Sequence, residues 1–240
     1  MLILYHCNNS YASQKVRLYF AEKSVLWKEH HIDLLKQEHL TEEYQRINPR
    51  ALVPALDDNG KIIVGSTNIM KYVSDHYLKE MITLDSTLIG RIYSFCKRDE
   101  ELHDPHIRTL SYHYLWMDHK KSAEEEQRVL MLARKHPDKA RGDFLARAIQ
   151  RQLTEVEIDL SNKMIIAALD EMEALLAEAR SGFLFGEQYT MADAAGTARL
   201  FRLELLGFQS DIEKRALVLA YYKTMRDRVS FSKANMTARK

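Results

Sequence analysis

The chain has 240 residues, 46% of them hydrophobic and 29% charged, and its 35 Lys+Arg against 34 Asp+Glu leave a formal net charge of +1 at pH 7. That length can bury a sizeable core in one large or two ordinary domains, and the charge balance excludes the global basic field that nucleic acid or an anionic membrane surface would call for. Two cysteines, Cys7 and Cys96, with no CxxC pair and no close Cys/His cluster, speak against a disulfide framework and a zinc site and for a reducing, cytosolic compartment.

No apolar run nears the roughly 18 residues of a membrane span, and the start MLILYHCNNS lacks the charge and length of a signal peptide, so a soluble protein is expected. To about residue 78 strands and helices alternate at short intervals. LILYH reads as a strand running into the turn-prone CNNS, and a helix is predicted from about Ala12 to Lys23, with Val16, Tyr19, Phe20 and Lys23 on one face. WKEHHIDLL reads as a second strand and LTEEYQRI as a short polar helix that stops before Asn48 and Pro49. VPAL and KIIV form a hairpin about Asp58, Asn59 and Gly60, and a helix from Ser66 turns Ile69, Met70 and Val73 inward. The order βαβα, then ββα, is that of a thioredoxin-type unit. Pro54 stands inside the apolar run of Leu52, Val53, Ala55 and Leu56, where a proline removes a ladder donor and belongs at an edge, a bulge or a cis bend.

From about residue 86 to 237 no segment reads convincingly as a strand. The clearest helix carries Leu160, Met164, Ile165, Ala168, Leu169, Met172, Leu175 and Leu176 at the spacing of a core-facing stripe. Thr190 followed by Asp193 makes a capping-box start for another helix, and Gly207 is placed to end it. KKSAEEEQRVLMLARKHPDKARGDF, dense in charge and broken by Pro137 and Gly142, reads as a solvated helix pair or helical insertion. The expected fold is an α/β thioredoxin-like N-terminal domain, residues 1–78, followed by an all-α helical C-terminal domain, residues 86–237.

Three strings carry a resemblance over nearly the whole chain: LYHCNNSYASQKVRLYFAEK, INPRALVPAL followed by STNI, and FLFGEQYTMADAAGTARLFRLELLGF. They resemble the cytosolic glutathione S-transferase superfamily, and within it the branch of ganglioside-induced differentiation-associated protein 1 and the tetrachlorohydroquinone dehalogenase-like transferases. The resemblance implies glutathione as co-substrate. It also implies a cis bond before Pro54, which would turn the backbone N–H and C=O of Val53 outward to pair with the cysteinyl part of glutathione as an added strand would; an ordinary edge-strand proline is the alternative.

The other contacts follow from what glutathione is: two carboxylates, one ammonium and a thiol. Ser66 and Thr67 open a helix, whose free N–H groups and positive dipole end suit the γ-glutamyl carboxylate, unless Ser66 is simply an N-cap. His39 matches a position that meets the glycyl carboxylate; an exposed loop histidine is the alternative. Relatives often carry an acid just before the serine matched by Ser66, to hold the ammonium. Here that residue is Gly65, so the acceptor comes from elsewhere or the affinity is lower. Ser10 stands where serine- and cysteine-type members keep the thiolate-activating group, with Tyr11 and Tyr5 as alternatives. Ala12 replaces the nucleophilic cysteine of dehalogenase-like and isomerase members, which disfavours cysteine-dependent chemistry. Cys7 reads as a packed thiol, Ser13 as a helix cap, and Lys15 and Arg17 as facing solvent or a subunit interface.

An apolar electrophile is expected between the domains, with Tyr93, Cys96, His103, His106, Tyr112, Tyr114 and Trp116 either forming its walls or packing as core. The leading reading is a glutathione S-transferase serving detoxification. A glutathione-binding adaptor or regulatory protein with weak catalysis comes second, and a ligand-free assembly protein third. The resemblance further implies a homodimer pairing the first domain of one subunit with the second of the other. No nucleic acid partner and no membrane segment are expected.

Overall fold

The structure is a computed structural model and describes residues 1–78, 84–116 and 122–236, apart from the side chain of Trp116. Four strands, β1 (Leu2–His6), β2 (Trp27–His31), β3 (Ala55–Asp58) and β4 (Lys61–Val64), make one sheet in the order β2-β1-β3-β4. β1 and β2 run parallel, which demands a crossover, and α1 (Tyr11–Glu22) supplies it. The antiparallel β3–β4 hairpin turns on Asn59 and Gly60, with φ of 52° and 93°, the left-handed pair that a two-residue turn requires. One 3-10 turn (Glu38–Leu40) and α2 (Glu42–Ile47) lead from β2 to β3, and α3 (Ser66–Tyr77) follows β4. The alternation expected from the sequence is the one observed.

The rest of the described chain is helical. α4 (Ser86–Arg98), a π turn (Asp99–His103), α5 (Asp104–Ser111) and a second π turn (Tyr112–Trp116) run on as one interrupted helix. α6 (Ala123–Arg134) and α7 (Lys139–Ile149) come next, then α8 (Glu155–Ala179) and α9 (Met191–Leu205), and the short α10 (Gln209–Glu213), α11 (Ala216–Arg226) and α12 (Val229–Lys233) close the fold. Asp193 seals the start of α9: it accepts from Thr190 N–H at 2.8 Å, Leu184 N–H at 2.9 Å and the Tyr221 hydroxyl at 3.2 Å. Gly207, with φ of 88°, ends α9, as Phe208 N–H bonds Leu203 C=O and Gly207 N–H bonds Glu204 C=O in a Schellman closure.

A single apolar core joins the sheet-bearing half to the helical half, with Phe20, Leu56 and Val73 in one cluster with Phe95, Leu169 and Leu200. This core corrects the reading of α1. Lys15 and Arg17, expected at solvent or a subunit interface, are each only 1% exposed, because α1 packs against α3, α9 and α12 and has no free face there. Arg17 is satisfied by the carbonyls of Cys7 at 3.2 Å, Asn8 at 3.0 Å and Ala234 at 2.9 Å. Lys15 pairs with the buried carboxylate of Asp99. Leu160 is exposed rather than part of the α8 stripe, since it precedes Ile165 by five residues and so points roughly 140° away around the helix.

The charged stretch after residue 121 is a helix pair, as expected, but not wholly a solvated one. Val129, Ala133 and Leu145 form a small core of their own, packed on Tyr112. Gly142 lets the two helices touch: a Cβ there would come within 2.3 Å of the Ala133 carbonyl oxygen. Arg128 reaches back to the Lys36 carbonyl at 3.2 Å, bringing the pair over the loop that carries His39.

Candidate functional site

A cavity of about 450 Å³ opens between the two halves. On the sheet side its wall includes Ser10, Ala12, His39, Val53, Pro54 and Ser66. Thr67 alone among the expected binding residues is not part of the wall: its hydroxyl turns inward to the Cys96 carbonyl at 3.2 Å.

Ser10 is the N-cap of α1, and its hydroxyl accepts from the Ser13 N–H at 3.2 Å. Accepting uses a lone pair and leaves the hydroxyl proton free to be donated into the cavity. Tyr11 is among the lining residues, but its hydroxyl donates to Asp99 at 2.7 Å, and burial followed by the Asp99 charge pushes its pKa well up. Tyr5 faces His30 and Tyr44, with ring centroids 4.7 and 6.3 Å away, and does not line the cavity. Cys7 is buried at the end of β1 and also lies outside the lining.

The loop before β3 is held from behind. The Tyr44 hydroxyl donates to the Leu52 carbonyl at 2.7 Å and the Asn48 amide to the same oxygen at 2.6 Å, while the Val53–Pro54 bond is cis. Among the described residues no hydrogen bond engages the Val53 N–H or C=O. Ser66, 1% exposed at the first position of α3, has a buried hydroxyl oxygen without a partner among the described residues. A buried polar atom left unmatched in a cavity wall calls for a partner from outside the fold, a water or a ligand.

His39 is not the exposed loop histidine of the alternative reading. Its Nδ1 is buried without a partner among the described residues, and burial, then His136 and Arg141, lower its pKa to about 4, so the ring is neutral at pH 7. On the helical side Lys97, Glu100, Asp104, Arg108 and Ser111 line the cavity from one face of the α4–α5 stretch, while Cys96, Asp99, His103 and Leu110 point to the core. Of the expected walls, Tyr112 lines the cavity. Cys96 and His103 are core, His106 bonds Ser161 at 3.0 Å, Tyr93 and Tyr114 lie outside the lining, and the side chain of Trp116 falls outside the described residues.

Comparison with known proteins then decides the family. Residues 4–80 match the glutathione S-transferase N-terminal domain and residues 148–224 its C-terminal domain. The chain belongs to the glutathione S-transferase superfamily. Among this superfamily member's relatives is glutathione S-transferase TCHQD of Arabidopsis thaliana, 25% identical over 243 residues, covering 96% of this chain and 88% of the relative. Among solved structures, β-etherase LigF from Sphingobium sp. strain SYK-6 has a TM-score of 0.82 at 20% identity, covering 97% of this chain and 98% of that one. Ure2p in complex with glutathione has a TM-score of 0.71 at 21% identity, covering 97% and 93%.

The glutathione S-transferase fold here brings into the cavity wall three residues that sequence reading passed over: Glu100, Arg108 and Arg141. Glu100 Oε2 accepts from the Thr67 N–H at 3.3 Å, and its Oε1 lies 3.0 Å from where a Cβ on Gly65 would sit. The spacing of 97, 100, 104, 108 and 111 was a readable signal, a polar stripe at helical period; which cavity it faces was not readable, because that depends on docking against a loop some 35 residues earlier.

Proposed function

We propose that this chain is a glutathione S-transferase whose Ser10 hydroxyl holds the glutathione sulfur as a thiolate for attack on an electrophile. The observation that carries the reading is one cavity wall with three unmet groups in it: the free proton of Ser10, the unused peptide groups of Val53 and the unpartnered hydroxyl of Ser66. They suit, in turn, a thiolate, a peptide backbone and a carboxylate, which are the parts of glutathione. Residues 1–78 supply this wall and residues 86–237 the opposite one.

In this reading the γ-glutamyl carboxylate lies on the Ser66 hydroxyl and on the N–H groups that open α3, where the helix dipole favours an anion, beside the Thr67 N–H that already donates to Glu100. Glu100 is the acceptor for the ammonium. It takes the place that Gly65 leaves without a side chain, and the resulting charge-assisted bond is shared across the two halves. Val53 pairs with the cysteinyl peptide and His39 lies toward the glycyl carboxylate. A free thiol ionises near pH ~8.5, and a hydroxyl donor at a helix N-terminus lowers that value. The thiol proton passes to solvent. The sulfur then bonds to the electrophilic carbon, and the leaving group departs with its bonding pair. Ser10 contributes by stabilising the anion and the cavity by orienting two bound reactants.

Calorimetry tests the reading directly. Saturable glutathione binding that weakens by about tenfold in Ser66→Ala is expected, with conjugation of 4-nitrobenzyl chloride measurable in the wild type. Binding without conjugation of any aryl or alkyl electrophile would favour the adaptor reading, and no binding at millimolar glutathione would end both.

A further inference from the structure

The helical wall of the cavity holds two guanidinium groups that form no ion pair among the described residues. Arg108 on α5 lies over the Phe144 ring at 5.0 Å, and its Nε is buried without a partner. Arg141 on α7 lines the same cavity, and burial, then the neighbouring Arg108 charge, lower its pKa to about 10. Among the described residues neither makes an ion pair within 4.0 Å, although Asp104 stands in the same wall. Two cations facing one another without a bonded carboxylate cost free energy, since desolvation and mutual repulsion act in the same direction. Beside them the wall carries an apolar patch, with Tyr112 and Phe144 in edge contact at 5.5 Å and Ile107 and Leu145 next to them, alongside the polar Asp104, Ser111 and His136.

We propose that the second substrate is an acid: an aryl or similarly apolar electrophile whose body packs on Phe144 and Tyr112 and whose carboxylate is held between Arg108 and Arg141. This rests on the glutathione reading above and narrows its substrate from apolar to apolar and anionic. Arg–carboxylate pairs of this kind are charge-assisted and fork-shaped, so they set orientation as well as affinity. A carboxylate could also come from the glycyl end of glutathione, because Arg141 stands near enough to His39 to lower its pKa.

The test separates the two sources by comparing conjugates that share the same tripeptide. S-(4-carboxybenzyl)glutathione and S-benzylglutathione are titrated by calorimetry into the wild type, Arg108→Gln, Arg141→Gln and Arg108→Lys. The wild type is expected to prefer the carboxybenzyl conjugate by roughly tenfold. Each Gln variant should erase that preference and leave S-benzylglutathione binding within about twofold, while Arg108→Lys retains part of it. Equal binding of both conjugates by the wild type overturns the proposal alone. Equal weakening of both by the Gln variants also overturns it and assigns the cations to the glycyl carboxylate. Failure of both conjugates to bind overturns the glutathione reading and the proposal together. Unchanged circular dichroism and thermal midpoints in the variants establish that the fold is intact.

Discussion

Glu100 stands where a side chain on Gly65 would point: its Oε1 is 3.0 Å from that side chain's Cβ position, and its Oε2 accepts from the Thr67 N–H at 3.3 Å. The two residues lie in different halves of the molecule, so the acid that the first half lacks is delivered by the second. Successive residues on a helix point about 100° apart, which sends Asp99 into the core and Glu100 into the cavity. If Glu100 accepts from the ligand ammonium, Glu100→Gln weakens glutathione binding by about tenfold and abolishes the preference for glutathione over its deamino analogue. Tighter binding by Glu100→Gln would instead make the carboxylate a competitor for the helix start.

Ser10→Ala should lower kcat by roughly tenfold to a hundredfold at pH 7 while changing the glutathione dissociation constant less than about threefold. The loss shrinks as pH rises toward the ionisation of the unassisted thiol. The same substitution removes the cap bond to Ser13, costing about 1 kcal/mol of stability. Ser10→Thr keeps both the cap and the donor, so its pH–rate profile should stay that of the wild type.

His39 is neutral at pH 7 because its pKa is lowered to about 4, by burial and then by His136 and Arg141. A carboxylate placed beside it favours the protonated ring and raises that value. Glutathione affinity is therefore expected to increase as pH falls from 7 toward 5, with proton uptake measured by titrations in buffers of different ionisation enthalpy. His39→Gln should remove the uptake.

Asp99 is fully buried, accepts from the Tyr11 hydroxyl, and pairs with Lys15 of α1 and with Arg199 of α9 at 2.7 Å. Burial by itself would raise the Asp99 carboxyl, but Lys15 and Arg199 together outweigh it and hold it well below the usual carboxylate range. Asp99→Ala strands two buried cations and should destabilise the protein by about 3 to 5 kcal/mol in denaturant unfolding. Combining it with Lys15→Met and Arg199→Met should recover much of that loss. The sign with pH follows from the depressed value: the stability is present above the unfolded carboxyl near ~3.9 and is lost as pH falls through the folded one.

Three histidines act in the same direction at milder acidity. Burial first, then Arg17 for His6 and Arg199 for His103, lower both to about 3, and His39 lies at about 4. Asp99 is 3.9 Å from His103 Nδ1, but Arg199 reaches that nitrogen at 2.8 Å and keeps the ring neutral. Unfolded histidines take up protons near pH ~6.5, so these three remove stability as pH falls from about 6.5 to 4, while Asp193, whose carboxyl burial pushes up to about 6, takes up its proton in the folded state and offsets part of that loss. Thermal midpoints measured across that range test it.

The sequence by itself determined the elements and the local devices. Alternation and turn residues set the order of strands and helices, Asn59 and Gly60 the hairpin, Thr190 and Asp193 the start of α9, and Gly207 its end. Pro54 inside an apolar run and Ser66 at a helix start were visible because a bend and a helix start depend on residues a few places apart, although the N-cap itself is Gly65. Only the tertiary structure decided which polar residues are inside. Lys15 and Arg17 look solvent-facing until α3, α9 and α12 close around α1, and the partners of Lys15 and Gly65 lie 84 and 35 positions along the chain. Likewise the charged stretch of α6 and α7 reads as surface in one dimension, and becomes part of the cavity wall because Arg141 and Phe144 of α7 pack beside Arg108 of α5. Local propensity acts over one or two turns; a charge whose counter-ion comes from another element is located by packing, which no single segment encodes.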